Sequence, residues 1–300
     1  MASSSSSNTF QHSRSNSLPS RPHPIASQLE DNLQRIRISS EVTCLSSSSV
    51  TQKLNGLQDL HECVDELLSL PLVQQVFTQQ SHKRWIDELL DGSMRVLDLC
   101  STAKNSLLQM REALQGLHSS MRRRKGARQV HDTEIRKYLS TRKSVQKAMK
   151  KAILNLRSTK DDSASSLLGK DDEAAAIISL LREVEAATVA IFGSVFCLIS
   201  GSRQPRSSSS WSLISKVMLK RRTICEEGKM DLNEFAKQDM ALESVISHKL
   251  TKVHDAMQVE QLLDGLKNID LDIQDLEEGL ESLYRRLIKN RVSLLNILNQ

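Results

Sequence analysis

The sequence predicts an all-α protein, an elongated helical bundle with long coiled-coil-like antiparallel helices and a disordered N-terminal arm. Its 300 residues include only 10 glycines and 5 prolines, so turn signals are sparse and long helices are favoured. Aromatic residues make up 3% of the chain, which leaves little of the usual material of β-sheets. The third observation is an apolar heptad pattern that runs through the last third of the chain.

Residues 1–50 are predicted to form the disordered, Ser-rich arm, and residues 51–300 the helical bundle domain. The serine runs Ser3–Ser7 and Ser46–Ser49 cannot bury enough apolar surface to offset the entropy lost on ordering. The arm lacks the apolar core of a secretory signal peptide, so we expect a cytoplasmic protein. A chloroplast transit peptide is the second interpretation, because the arm carries arginines and has no acid before Glu30.

Apolar residues at steps of three and four predict the helices in order. A first helix follows Thr51 and ends at Pro71, and a second runs from Ser81 to about Ser120. A basic helix is predicted from Asp132 to Leu156, followed by a loop and by a helix from Glu173 to Ser200. A short helix from Trp211 to about Cys225 and one or two long helices from Leu232 to Gln300 complete the bundle.

The most apolar stretch, Val189 to Gly201, raises the question of a membrane span. The uncharged window around it, Ala186 to Ser202, has seventeen residues, whereas a transmembrane helix needs about 20 apolar residues. A core helix explains the same residues, so we expect this stretch to lie inside the bundle. A peripheral or re-entrant membrane contact is the alternative.

The last third carries a heptad seam that is typical of coiled-coil packing. One polar residue, Asn290, interrupts it, and such a residue commonly fixes register or partner number. The seam can close within one chain or between two, so a homo-oligomer is an alternative to a monomer. Its apolar members are Val259, Leu262, Leu266, Ile269, Ile273, Leu276, Leu280, Leu283, Leu287, Leu294 and Ile297.

Charge is unevenly distributed along the chain. Residues Arg122–Arg157 hold thirteen Lys or Arg against two acids, while Glu260–Glu281 hold eight acids against Lys267. The two helices either pack side by side with their charges paired, or the basic helix faces outward. In the second case it would meet an anionic membrane surface. The candidate contacts are Arg122, Arg123, Arg124, Lys125 and Arg128. Nucleic acid is not expected as a partner, because aromatic side chains that stack on bases are scarce.

Motifs of catalysis and of metal or cofactor binding are missing from the sequence. The histidines form no HExxH motif, the five cysteines form no CxxC pair, and there is no phosphate-binding Gly-rich loop. His61 and Cys63 lie two residues apart and so face different sides of a helix, which favours a surface or boundary role for His61 over a metal site. We therefore expect a protein that is not an enzyme and that has no cofactor.

One short motif in the arm resembles a binding site for a phosphoserine-binding protein. The segment RSNSLP, from Arg14 through Ser17 to Pro19, has the layout that 14-3-3 proteins recognise when the second serine is phosphorylated. Phosphate on Ser17 would supply the dianion that an Arg-lined groove binds, and Pro19 would turn the chain out of that groove. The alternative is a plain linker, since short patterns arise by chance in Ser-rich sequence.

Several separated stretches resemble the plant-specific BYPASS-related family. They are RSNSLPSRPHP, LQDLHECVDELLSLP, RVLDLCSTAKNSL, RKYLSTRKSVQKAMKK and LYRRLIKNRVSLLNIL, in this order. The resemblance implies a plant source, a helical fold and an association with root and shoot development, with no catalytic residues to transfer. We therefore expect a non-enzymatic scaffold or regulatory adaptor that acts through protein–protein contacts. The alternative function is that of a peripheral membrane protein that binds anionic lipid through its basic helix.

Overall fold

A computed structural model describes residues 23–41, 45–78, 83–122, 128–158, 173–201, 232–247 and 255–299. Within these residues there are eight helices and no strand, which confirms the all-α prediction. The helices are α1 (Pro24–Glu41), α2 (Ser47–Leu68), α3 (Pro71–Thr78), α4 (Lys83–Arg122), α5 (Arg128–Ser158), α6 (Glu173–Ser200), α7 (Glu234–Ser247) and α8 (Asp255–Leu298).

The 44-residue helix α8 is the axis of the bundle. It packs mainly against α2 and α4 of the same chain. Lys104 of α4 pairs with Glu281 of α8. Ten residues later on α8, Arg291 donates to the carbonyl of Leu90, which precedes Lys104 on α4. These two helices therefore run antiparallel. Gln58 and Asp65 of α2 meet Ser282 and Ser293, so α2 and α8 run parallel.

The heptad seam of α8 faces the interior, as the sequence predicts. Every seam residue from Leu262 to Ile297 is buried, and the side chain of Val259 lies outside the described part. The interrupting Asn290 is buried as well, with 6% of its surface exposed. The seam is therefore closed by α2 and α4 of the same chain.

The predicted boundary of the N-terminal arm at residue 50 is wrong. Residues 24–41 form α1, which buries Leu29, Leu33 and Ile36 against the rest of the core and packs on α2 and α6. Ser46 is the N-cap of α2, because its hydroxyl accepts a hydrogen bond of 3.2 Å from the amide of Ser49. The serine run that suggested disorder therefore begins a helix.

Helix α6 contains the apolar stretch that suggested a membrane span. By length and composition Ala175–Ser200 would suffice to cross a bilayer, but 61% of its most apolar window is buried in the bundle. Phe192, Val195 and Phe196 are fully buried, which confirms that this stretch belongs to the core. The helix ends at Gly201, whose φ of 68° is left-handed and therefore suits glycine. The helix predicted from Trp211 to Cys225 lies outside the described residues.

Candidate functional site

The residues singled out in the sequence are only partly covered by the structure. Arg14, Ser17 and Pro19 lie outside the described residues, and so do Arg123, Arg124 and Lys125. Arg122 is the exposed last residue of α4, and Arg128 is the first residue of α5, with a side chain that is not described. The structure therefore does not place these residues in one site.

The acidic stretch of α8 and the basic helix α5 have different neighbours. The acids Glu277 and Glu281 of α8 pair with Arg111 and Lys104 of α4. Helix α5 packs chiefly on α4 and α6, and most of its described lysines and arginines point to solvent. The acidic stretch of α8 is therefore paired with cations of α4, and the cations of α5 face solvent.

A solvent-facing groove of about 700 Å³ runs between α4 and α8. Its volume lies within the range of about 300–1,000 Å³ that is common for binding pockets. The lining combines Leu108 of α4, which is 51% exposed, with acids and arginines of α8. Hydrogen bonds from Lys104 and Arg285 lower the pKa of Glu281, so the carboxylate stays charged in the groove wall.

An exposed aliphatic stripe continues the groove along α8. Arg285, which lines the groove, is followed at steps of three, four and three by Ile288, Val292 and Leu295. These three aliphatic side chains are 41%, 47% and 37% exposed. We call Leu108, Arg285 and this stripe the α8 contact surface. The sequence pattern does not reveal this surface, because the longer apolar seam on the same helix dominates the periodicity.

A buried polar network ties α2, α6 and α8 together around His61. Its Nε2 lies 3.0 Å from the hydroxyl oxygen of Thr188. Because that hydroxyl donates its only hydrogen to the carbonyl of Val184, it accepts the hydrogen bond from Nε2–H of His61. Asn290 donates from Nδ2 to Nδ1 of His61 at 3.0 Å and to its carbonyl at 3.1 Å. Burial, reinforced by the charge of Arg286, lowers the pKa of His61 to about 4. The imidazole is therefore neutral, and the expected surface or boundary position of His61 is wrong.

A buried arginine joins α4, α5, α6 and α7. Arg142, 1% exposed, donates from Nε and Nη2 to the carboxylate of Asp239 at 2.8–3.0 Å. Its Nη1 donates to the carbonyl of Ile199 at 2.6 Å, at the end of α6, and lies 3.3 Å from the sulfur of Met110. Burial raises the pKa of Asp239, and the hydrogen bonds from Arg142 oppose that shift.

Both polar clusters have a signal in the sequence. Arg142 occupies an apolar stripe position between Tyr138 and Val145, and His61 does so between Leu57 and Val64. A polar residue at such a position must find a buried partner. The partners Asp239 and Thr188 come from distant segments, which the periodicity of one helix does not identify.

The described residues hold no group of three or more His, Cys, Asp or Glu side chains that would bind a metal ion. Cys100 is buried, and burial raises the pKa of its thiol to about 12, which keeps it protonated at neutral pH. Each buried polar cluster binds helices to one another, and the groove and its stripe are open to a partner.

The comparisons with known proteins yield one match. The family model described as Protein BPS1 matches residues 53–297, which is most of the chain and includes the helical bundle apart from α1, the start of α2 and the last residue of α8. No curated protein and no solved structure is significantly similar to the chain. The matched range includes α4, α6 and nearly all of α2 and α8, the helices that build the groove and the His61 network. The chain therefore belongs to the BYPASS-related BPS1 family, and this membership implies a role in plant development.

Proposed function

We propose that the protein is a non-enzymatic scaffold or regulatory adaptor in root and shoot development and that it acts through protein–protein contacts. The observation that carries this proposal is the α8 contact surface, an exposed aliphatic stripe on a rigid helix next to a groove of about 700 Å³. A scaffold needs a stable body and a separate surface for its partners. The bundle supplies both.

The body is stable because the long seam of α8 packs within the same chain. The buried faces of α2 and α4 cover it, and the networks around His61 and Arg142 fix the register of the surrounding helices. A partner therefore meets a preformed surface and pays little entropy for ordering the bundle.

The contact surface fits an amphipathic helix as its partner. Helices that dock in grooves place apolar anchors at i, i+3 or i+4 and i+7, and the stripe has the matching steps of four and three from Ile288 to Leu295. Arg285, at the boundary between groove and stripe, pairs through Nε with Glu281 at 3.1 Å. Its side chain is nevertheless 76% exposed, so its terminal nitrogens are open to an acidic residue on the partner. Isolated exposed aliphatics are common on proteins, whereas an aligned set beside a groove favours binding.

The test introduces charge into the stripe. Val292→Asp with Leu295→Asp should remove the protein partners that depend on this surface and abolish rescue of the developmental defect of a plant line lacking the protein. The matched control is Ile38→Asp with Met240→Asp, at two apolar side chains that are 58% and 56% exposed elsewhere on the bundle. Quantitative affinity purification and plant rescue are the two measurements. Full rescue and an unchanged partner set with the stripe variant would overturn the proposal.

A further inference from the structure

The outward face of α5 carries a dense row of cations. From Ile135 to Ser158 the helix contains no acid. Six of its basic residues are exposed, and the seventh that is described, Arg142, is buried in its pair with Asp239. The exposed set is Arg136, Lys137, Lys143, Lys147, Lys150 and Lys151. We call these six residues the α5 cationic face.

The charge of this face is least compensated in its C-terminal half. In the N-terminal half two acids lie near the cations. Glu134 is at the start of the helix, and Glu243 of α7 lines a cavity of about 220 Å³ together with Lys143. Farther along, Lys147, Lys150 and Lys151 have no ion pair among the described residues. Long lysine side chains on one helix face, without acids between them, keep their full charge available to an external anion.

Apolar surface accompanies these lysines. Leu154, one turn after Lys150 and Lys151, is 49% exposed. On α6, the helix against which α5 packs, the partly exposed positions from Ala186 to Cys197 carry no charge. Cations beside apolar side chains are the combination that binds the headgroup region of a bilayer from one side.

The same features do not favour nucleic acid. The one aromatic residue of α5, Tyr138, is 1% exposed and so cannot stack on a base. A phosphate backbone would use the lysines but would leave Leu154 in water. We therefore propose that the α5 cationic face is a docking surface for a membrane rich in anionic lipid. This docking surface is separate from the α8 contact surface and does not depend on the proposed function.

The length of α5 and the number of its lysines determine how strongly the protein should partition onto an anionic membrane. From Arg136 to Leu154 the helix is about 27 Å long, which lets the row of lysines lie along the bilayer plane. Each cation near an anionic bilayer raises the partition coefficient about fivefold at low salt. Removing three lysines should therefore lower partitioning on the order of a hundredfold.

The experiment is flotation of the full-length protein with vesicles of phosphatidylcholine, with or without one third phosphatidylserine. The test variant is Lys147→Ala with Lys150→Ala and Lys151→Ala. The control variant, Arg35→Ala with Arg84→Ala and Lys267→Ala, removes the same charge from exposed positions on other helices. Circular dichroism and the unfolding midpoint of each variant confirm that it is folded. A third variant with arginine at the three lysine positions keeps the charge and should bind like the wild type.

We expect the wild type to float with the anionic vesicles, to stay unbound with pure phosphatidylcholine and to dissociate as salt is raised. The test variant should lose binding about a hundredfold and the control should change by less than about fivefold. Equal losses in the test and control variants would overturn the proposal, as would binding that ignores lipid charge or salt. The proposal also fails if the wild type does not float with the anionic vesicles. Binding of a duplex RNA or DNA that the test variant abolishes would then assign the lysines to nucleic acid.

Discussion

Protonation of His61 should destabilise the fold as the pH falls. The network around it accepts only a neutral ring, because Nδ1 receives the hydrogen bond from Asn290 while Nε2 donates to Thr188. The pKa of His61 is lowered from 6.5 to about 4 by burial and by the charge of Arg286. Between these two pH values the unfolded chain binds a proton that the folded chain does not, so stability decreases as the pH falls.

The size of the effect follows from the shift in pKa. The full difference of about two and a half pH units corresponds to about 3 kcal/mol, and about 2 kcal/mol of it is lost between pH 7.5 and pH 5.0. This contribution is complete above pH 6.5 and disappears as the pH falls through about 4. Working at pH 5.0 limits the part played by carboxylates with ordinary pKa values.

The assay is chemical denaturation of the wild type and of His61→Gln at pH 7.5 and pH 5.0. Glutamine can donate one hydrogen bond toward Thr188 but does not titrate, so the variant keeps the pH dependence of every other group. The wild type should lose about 2 kcal/mol more than the variant on going to pH 5.0. Equal losses in the two proteins, or an NMR titration that places the pKa of His61 near 6.5, would refute the reasoning.

Three further predictions test other parts of the molecule. Arg142→Met should lower the free energy of unfolding by about 3–5 kcal/mol, because it leaves the carboxylate of Asp239 buried and unpaired. Arg142→Met with Asp239→Leu should recover much of that loss in the same denaturation assay. A double variant as unstable as the single one would contradict the role of the pair. Light scattering should give the mass of a monomer, because α2 and α4 of the same chain cover the seam of α8, and a dimer at micromolar concentration would argue against a seam closed within one chain. A peptide of the arm phosphorylated at Ser17 should capture 14-3-3 protein, and its unphosphorylated form should not; equal recovery by both peptides would rule out the motif from Arg14 to Pro19.

The α8 seam and the α6 core helix illustrate how much periodicity alone predicts. An apolar residue every three or four positions must be buried somewhere, whichever helix covers it, so the buried set of α8 could be named in advance. The boundaries Glu173 and Ser200 of α6 were also predicted, because polar loop sequence and a glycine flank it. Helix α1 was not predicted, because its three buried apolar residues lie between serine runs, and the polar composition of the region outweighs so short an apolar stripe.

What the sequence by itself determined is the class of fold, the membership in a plant family and the presence of a strongly basic helix. What the tertiary structure decided is which surfaces face each other. Charge along a chain does not say where a helix points, and here α4 supplies the cations for the acids of α8, while α5 turns its lysines outward. The groove, the buried Arg142 pair and the His61 network all join segments that are far apart in sequence. Their geometry depends on how whole helices pack, and the periodicity of one helix carries no information about that.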